Sequence, residues 1–360
     1  MGTPSFDDDR ASAFGDRFMG SLNDGALCLM TSIGHRTGLF DTMSGMAPAT
    51  SAEIAAAAGL HERYVREWLG AMVTSRVVEV TDPDRLTFRL PAEHSAFLTR
   101  AAGADNMAMF AQYIALLGAV EDDIAECFRA GGGVPYSRFP RFHTVMAEES
   151  ALTVMSGLET HILPLVPGLL GRLAAGIRVL DVGCGQGRVI TRLAELFPNS
   201  HFVGLDLSAE AISAGRALAA ERGLSNLEFV ARDLSDFDVT APVGEFDFIT
   251  TFDAVHDQGR PLNVLKGINR ALKADGVYLM QDIKGSTFPQ NNIDHPIGPL
   301  LYTVSCMHCM TVSLAQGGEG LGAMWGEEKT REYLAEAGFT SIHTNEFDHD
   351  IQNNWYVITK

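Results

Sequence analysis

Cysteine is sparse in this chain of 360 residues: Cys28, Cys127, Cys184, Cys306 and Cys309 are all there is. An odd, scattered set makes no disulfide framework, so a reduced, cytoplasmic protein is expected. Basic residues are also short: 27 Lys and Arg face 45 Asp and Glu, a formal net charge of −18. That balance argues against a nucleic-acid partner, because phosphate recognition needs local positive charge. No stretch approaches ~20 uninterrupted apolar residues, so no membrane span is expected. The N-terminal region carries Asp7-Asp8-Asp9-Arg10 in place of a basic segment before an apolar run, so no secretory signal is expected. Repeats and low-complexity tracts are absent too. What is present is a chain 46% hydrophobic and 20% charged, long enough for two domains.

Three zones follow from the periodicity. Residues 1–100 are helix-rich. Thr50-Ser51-Ala52-Glu53 is a capping-box pattern opening a short helix that ends at Gly59. A second helix carries Val65, Trp68, Leu69 and Met72 on one face. Residues 77–80 and 86–90, around Asp82-Pro83-Asp84, read as a β-hairpin. With Leu27 to Phe40 apolar at helical spacing ahead of these, the order is helix, short helix, helix, hairpin, that of a winged helix. Residues 101–176 read as a helical linker or cap, broken at Gly131-Gly132-Gly133-Val134-Pro135. Residues 177–360 alternate strands and helices, with seven strands predicted over 178–182, 201–206, 227–231, 246–252, 277–282, 341–345 and 354–359. The fold class is therefore α/β, a mostly parallel Rossmann-like sheet covered on both faces, with a short-looped antiparallel pair at its end.

The chemistry starts at Arg178-Val179-Leu180-Asp181-Val182-Gly183-Cys184-Gly185-Gln186-Gly187, an apolar strand running into a glycine-dense turn and then a helix. Its G-x-G-x-G spacing differs from the G-x-G-x-x-G of dinucleotide folds. Asp206 ends the second strand, 25 residues after Asp181, where a carboxylate can accept both ribose hydroxyls. Leu207 beside it can cover an adenine face, and Asp233 after the third strand can accept from an exocyclic amine. Glycine turn, ribose acid and adenine acid at successive strand ends describe a nucleoside site at the sheet's switch point. Ordinary strand-end turns also favour Gly and Asp, but three such elements in register favour the site.

With these motifs the chain resembles the class I S-adenosylmethionine-dependent methyltransferases over about 170–360. Residues 179–187 look like their first motif and 245–257 like their fourth, beside the transferring methyl. The resemblance implies S-adenosyl-L-methionine as cofactor, with Asp181, Gly183, Gly185, Gly187, Asp206, Leu207, Asp233, Leu234 and Phe252 around it. The winged helix ahead of this domain is similar to that of dimeric small-molecule O-methyltransferases, and the whole chain to a bacterial and mycobacterial group of winged-helix methyltransferases. A homodimer through residues 1–100 is implied. Up to residue 100, 9 Lys and Arg face 13 Asp and Glu, which does not suit DNA contact.

His256-Asp257 matches the His-Asp pair of the plant-type enzymes, in which the His is the general base. Two readings stay open: His256 as base, with Asp282 orienting the ring, or His256 as a strand-end cap touching the cofactor edge. Gln258 stands where the usual Trp would follow. Residues 284–326 exceed an ordinary connection and read as a cap over the acceptor, with Tyr302, His308, Met310 and Trp325 as candidate contacts. Cys306-Met307-His308-Cys309 is a single C-x-x-C where zinc wants four ligands, so no metal site is expected. The expected function is methyl transfer to a small molecule, with oxygen favoured over sulfur or nitrogen. A non-catalytic cofactor-binding regulator using the winged helix is the reading from another class.

Overall fold

The computed structural model describes residues 6–348 and 350–360. The chain forms two compact units, Met1–Leu116 and Leu117–Lys360. In the first, helix α1 (Asp8–Thr37) begins where the Asp7 side chain accepts from the Arg10 backbone N–H. Strand β1 (Ala49–Thr50) leads into α2 (Ser51–Ala58). Both halves of its capping box form: Thr50 Oγ1 accepts from Glu53 N–H, and Glu53 accepts from Thr50 N–H at 2.8 Å. Helix α3 (Glu62–Thr74) buries Val65, Trp68, Leu69 and Met72 in a core with Leu39, Phe40 and Ile54. Strands β2 (Glu79–Asp82) and β3 (Thr87–Arg89) complete a three-stranded sheet of order β1-β3-β2. The hairpin begins two residues later than its apolar run suggests. The Val77 and Val78 N–H groups both donate to the Met72 carbonyl and close the end of α3 before the strand starts.

The division at Leu116/Leu117 falls inside the 101–176 segment, and its later helices belong to the larger unit. Among them is α4 (Phe142–Ser150), followed by two π-helical stretches at Ala151–Met155 and Leu158–Ile162. The methyl-bearing periodicity that gives away α-helices does not separate them from π turns. Beyond these come β4 (Arg178–Val182), α5 (Arg188–Leu196), β5 (His201–Asp206), α6 (Ala209–Glu221), β6 (Leu227–Ala231), β7 (Phe246–Phe252), α7 (Pro261–Ala271) and β8 (Leu272–Ile283). After α8 (Gly298–Val304) and α9 (Gly326–Glu336) the chain closes with β9 (Ser341–Asn345) and β10 (Asn353–Thr359).

The sheet has seven strands in the order β6-β5-β4-β7-β8-β10-β9. All neighbouring pairs are parallel except those of β10, which runs antiparallel to both β8 and β9. Strand β8 begins at Leu272, five residues before the expected Val277. Phe246 pairs with Leu272 and Phe248 with Val277, so residues 273–276 are a bulge within the strand and not a turn before it. Alternating side chains fill both faces. Ile249, Leu265, Ile268, Tyr278 and Tyr356 pack on one, and Val179, Ile190, Phe202, Phe248, Leu279 and Trp355 on the other. The order reverses beside β4, which places the carboxyl ends of β4, β5 and β7 around one crevice.

Candidate functional site

The crevice is built first by backbone. Gly183, Gly185 and Gly187 all take positive φ, 73°, 55° and 68°. At Gly183 a Cβ would lie 2.4 Å from the Ala254 methyl, and at Gly187 one would lie 2.1 Å from the Phe229 ring. Any side chain at these two positions would clash and be strained. The turn therefore leaves a cradle that only glycine permits. It opens onto a cleft with about 560 Å³ of empty space, lined by Asp181, residues 183–189, Phe252, and His143, Met146, Ala147 and Ser150 of α4.

Carboxylates at the strand ends brace this turn. Asp206 accepts from the Gly185 N–H and the Ser208 N–H, each at 2.8 Å. Burial raises its pKa, against the pull of those two N–H groups. Asp181 is buried under the turn and accepts from Thr250 Oγ1 at 2.8 Å. Burial pushes its pKa up to about 7. Of the residues expected around a cofactor, Asp181, Gly183, Gly185, Gly187 and Phe252 line the cleft, and Asp206 is bonded to it. Leu207 is half exposed beside it, Asp233 is exposed with its carboxylate accepting from Ser235 N–H, and the Leu234 side chain lies in the hydrophobic core.

Past β7 the chain turns at Asp253, whose φ of 48° is in the left-handed region. His256 follows, buried. Its Nδ1 lies 2.7 Å from Asp282 Oδ1 at the end of β8. Asp282 Oδ1 also accepts from the Trp325 indole N–H at 3.1 Å and from the Ile283 N–H at 2.8 Å. On the ring's other side Nε2 is 3.3 Å from Asp257 Oδ1, while Asp257 Oδ2 accepts from the Tyr136 hydroxyl at 2.9 Å. Burial disfavours the charged ring, but the Asp282 and Asp257 carboxylates outweigh it and hold the imidazole pKa well above its ordinary value. His256, Asp257 and Cys309 place their polar atoms within 4.8 Å of one another. The His256 ring thus lies between the Asp282 and Asp257 carboxylates.

The four expected acceptor contacts do not converge on one wall. His308 is buried with its ring stacked on Phe142, centroids 3.5 Å apart, and its edges toward Phe139 and Tyr136. Burial drops its pKa to about 4, so it is neutral there. Tyr302 accepts from Asn292 Nδ2 at 3.0 Å and faces an outer apolar groove with Ile124, Phe128, Cys306 and Met307. Met310 packs near Gly322. Trp325 is buried and spends its polar edge on Asp282. Sequence reasoning missed Tyr136, His143, Met146 and Ser150, which lie in the segment read as linker. The aromatic density of Tyr136, Phe139, Phe142 and His143 was the available signal.

A glycine cradle at the switch point of this sheet order, with an acid at the next strand end, defines a nucleotide-type binding crevice. Comparison with known proteins makes it particular. Residues 173–338 match a family model described as "Methyltransferase domain", and residues 25–100 one described as "Rv2258c-like winged HTH domain". The 2-heptyl-1-hydroxyquinolin-4(1H)-one methyltransferase of Mycobacteroides abscessus is 34% identical over 122 residues, 33% of this chain and 51% of that protein. The solved mitomycin 7-O-methyltransferase is 18% identical, covering 98% of this chain and 100% of its own, with a TM-score of 0.67. The human N-acetylserotonin methyltransferase, solved with S-adenosylmethionine, is 17% identical, covering 100% and 99%, with a TM-score of 0.68. At such identities the solved structures establish the fold. The chain spans between 24% and 60% of the length of the curated relatives it matches. The chain thus carries a region that matches a winged helix-turn-helix domain ahead of one that matches a methyltransferase domain.

Proposed function

We propose that the protein transfers a methyl group from S-adenosyl-L-methionine to a hydroxyl of a small molecule, with His256 as general base. The observation that carries this reading is the buried His256–Asp282 pair at 2.7 Å, set at the strand ends that also bear the glycine cradle. Gly183 and Gly187, where a Cβ would clash, suit a ligand pressed against backbone, and Asp206 suits a ribose. Leu207 and Asp233 are assigned to the adenine end and Phe252 to the methionine end. The bound sulfonium supplies an activated methyl. The chain's own work is alignment and proton removal. Asp282 fixes the ring through Nδ1, and Nε2, 3.3 Å from Asp257 Oδ1, is the atom that takes the acceptor proton when the ring is neutral. Hydroxylated acceptors are favoured because the hydroxyquinolone and mitomycin enzymes are named for them.

Two further assignments belong to this reading. No helix among the described residues is long and apolar enough to cross a membrane, and all five cysteines are free, which supports a cytoplasmic enzyme. Helix α1 exposes Phe14, Phe18, Leu22, Leu29 and Ile33 at helical spacing, a stripe suited to a second copy in a homodimer. A nucleic-acid partner is disfavoured: Arg63 and Arg66 of α3 are paired with Glu67 and Glu62 on the same helix. The experiment is incubation with methyl-labelled cofactor and a panel of phenols, hydroxyquinolones, thiols and amines. Label on a hydroxyl acceptor is expected. Transfer to none, with tight and salt-sensitive binding of duplex DNA, overturns the proposal in favour of a regulator.

A further inference from the structure

Trp325 lies in the cap insertion, where an aromatic side chain reads as a wall of the acceptor pocket. Its surroundings say otherwise. The side chain is buried in the sheet's core cluster, edge-on to Tyr333 with centroids 5.8 Å apart. Its one polar atom donates to Asp282 Oδ1, the same oxygen that faces His256 Nδ1. The Ile283 backbone N–H donates to that oxygen as well. Buried carboxylate oxygens with three donors have little freedom, and a neutral N–H from a locked indole is a strong constraint on where the charge sits.

We infer that Trp325 is a positioning residue for methyl transfer: its indole N–H holds the Asp282 carboxylate, which in turn holds the His256 ring. The inference rests on His256 acting as the base. Tyr136 also donates to a carboxylate beside the ring, but to Asp257 Oδ2, the oxygen that faces away from it. The consequence is electrostatic as well as geometric. A donor on Asp282 draws negative charge from the oxygen facing His256. Removing it leaves a more basic carboxylate, which favours the imidazolium and raises the ring's pKa. The other groups around His256 are Asp257 beside it, Cys309 and His308 of the cap, and Asp253 at the end of β7. All of them stay in place when Trp325 alone changes, so the shift reports the indole.

The test is Trp325→Phe, which keeps an aromatic filler without the donor. Expected are a fall of about tenfold in kcat, a cofactor KM within about twofold of wild type, and an acid limb of the kcat profile moved to higher pH. The His256 ring, followed by nitrogen-edge NMR titration without any acceptor, moves the same way. If Trp325→Phe does not fold, 3-benzothienylalanine at position 325, which keeps the indole shape and lacks the N–H, gives the same readouts. A limb and a ring titration that stay where they are, whatever kcat does, reduce Trp325 to packing and overturn the inference. The ring titration is independent of turnover. A shifted ring in a protein whose His256→Gln variant still turns over fully would leave the hydrogen-bond relay standing and remove the base.

Discussion

The two halves of the crevice are made in different ways. The side proposed to hold the donor is backbone: three glycines within five residues, with a carboxylate from the neighbouring strand bonded to the turn. The side proposed to meet the acceptor is side chain: His256 after β7, Asp282 on β8, Trp325 and Cys309 from the cap and Tyr136 from far upstream. A local motif can write the turn, because three glycines tolerate its positive φ, although Ala254 and Phe229 from other segments close on two of them. The second exists only once five separate segments have packed. One half should therefore fail through binding and the other through rate.

That difference gives the predictions their order. His256→Gln should lower kcat on a hydroxyl acceptor by ~10²-fold or more, the usual worth of a general base. Gly183→Val should act on the other half. A β-branched residue at φ 73°, with its Cβ 2.4 Å from Ala254, is expected to weaken donor binding tenfold to about a hundredfold by calorimetry. Equal donor affinity in that variant would break the backbone account of the cradle. Tyr136→Phe should cost roughly three- to fivefold in kcat, since it removes one neutral donor from Asp257 and leaves the ring contacts.

The smallest effect is on stability. Asp181 has a folded pKa near 7 against an ordinary 3.8, the direction that buried acids take. The folded chain binds that proton more tightly than the unfolded one, so this group's contribution to stability falls as pH rises from 3.8 to about 7 and then levels off. Asp181→Asn removes the loss. Its melting temperature relative to wild type should climb by a few degrees between pH 5 and pH 8. A difference constant with pH would mean that Asp181 is charged in the fold.

The same contrast explains what could be read from the chain. Strands 178–182, 201–206, 227–231 and 246–252 fall where the periodicity puts them, because each is an apolar run bounded by turn residues. The capping box at Thr50–Glu53 was legible for the same local reason. Strand β8 was not, because a bulge at 273–276 carries the polar residues of a turn while its partner β7 holds the register. On the donor side the glycines and Asp206 were readable, whereas the inward turn of Leu234 depends on packing beneath the sheet. The meeting of His256 with Asp282 was readable from their strand ends. Tyr136 and the role of Trp325 were not, since nothing in their own segments says which carboxylate they will meet.

The most direct measurement is calorimetric titration of the His256→Gln variant with S-adenosylmethionine, beside its turnover of a hydroxyl acceptor. The account predicts a donor affinity within about twofold of wild type while kcat falls by ~10²-fold or more. Donor affinity lost in step with turnover, or turnover left intact, would contradict the division of labour between the two sides of the crevice.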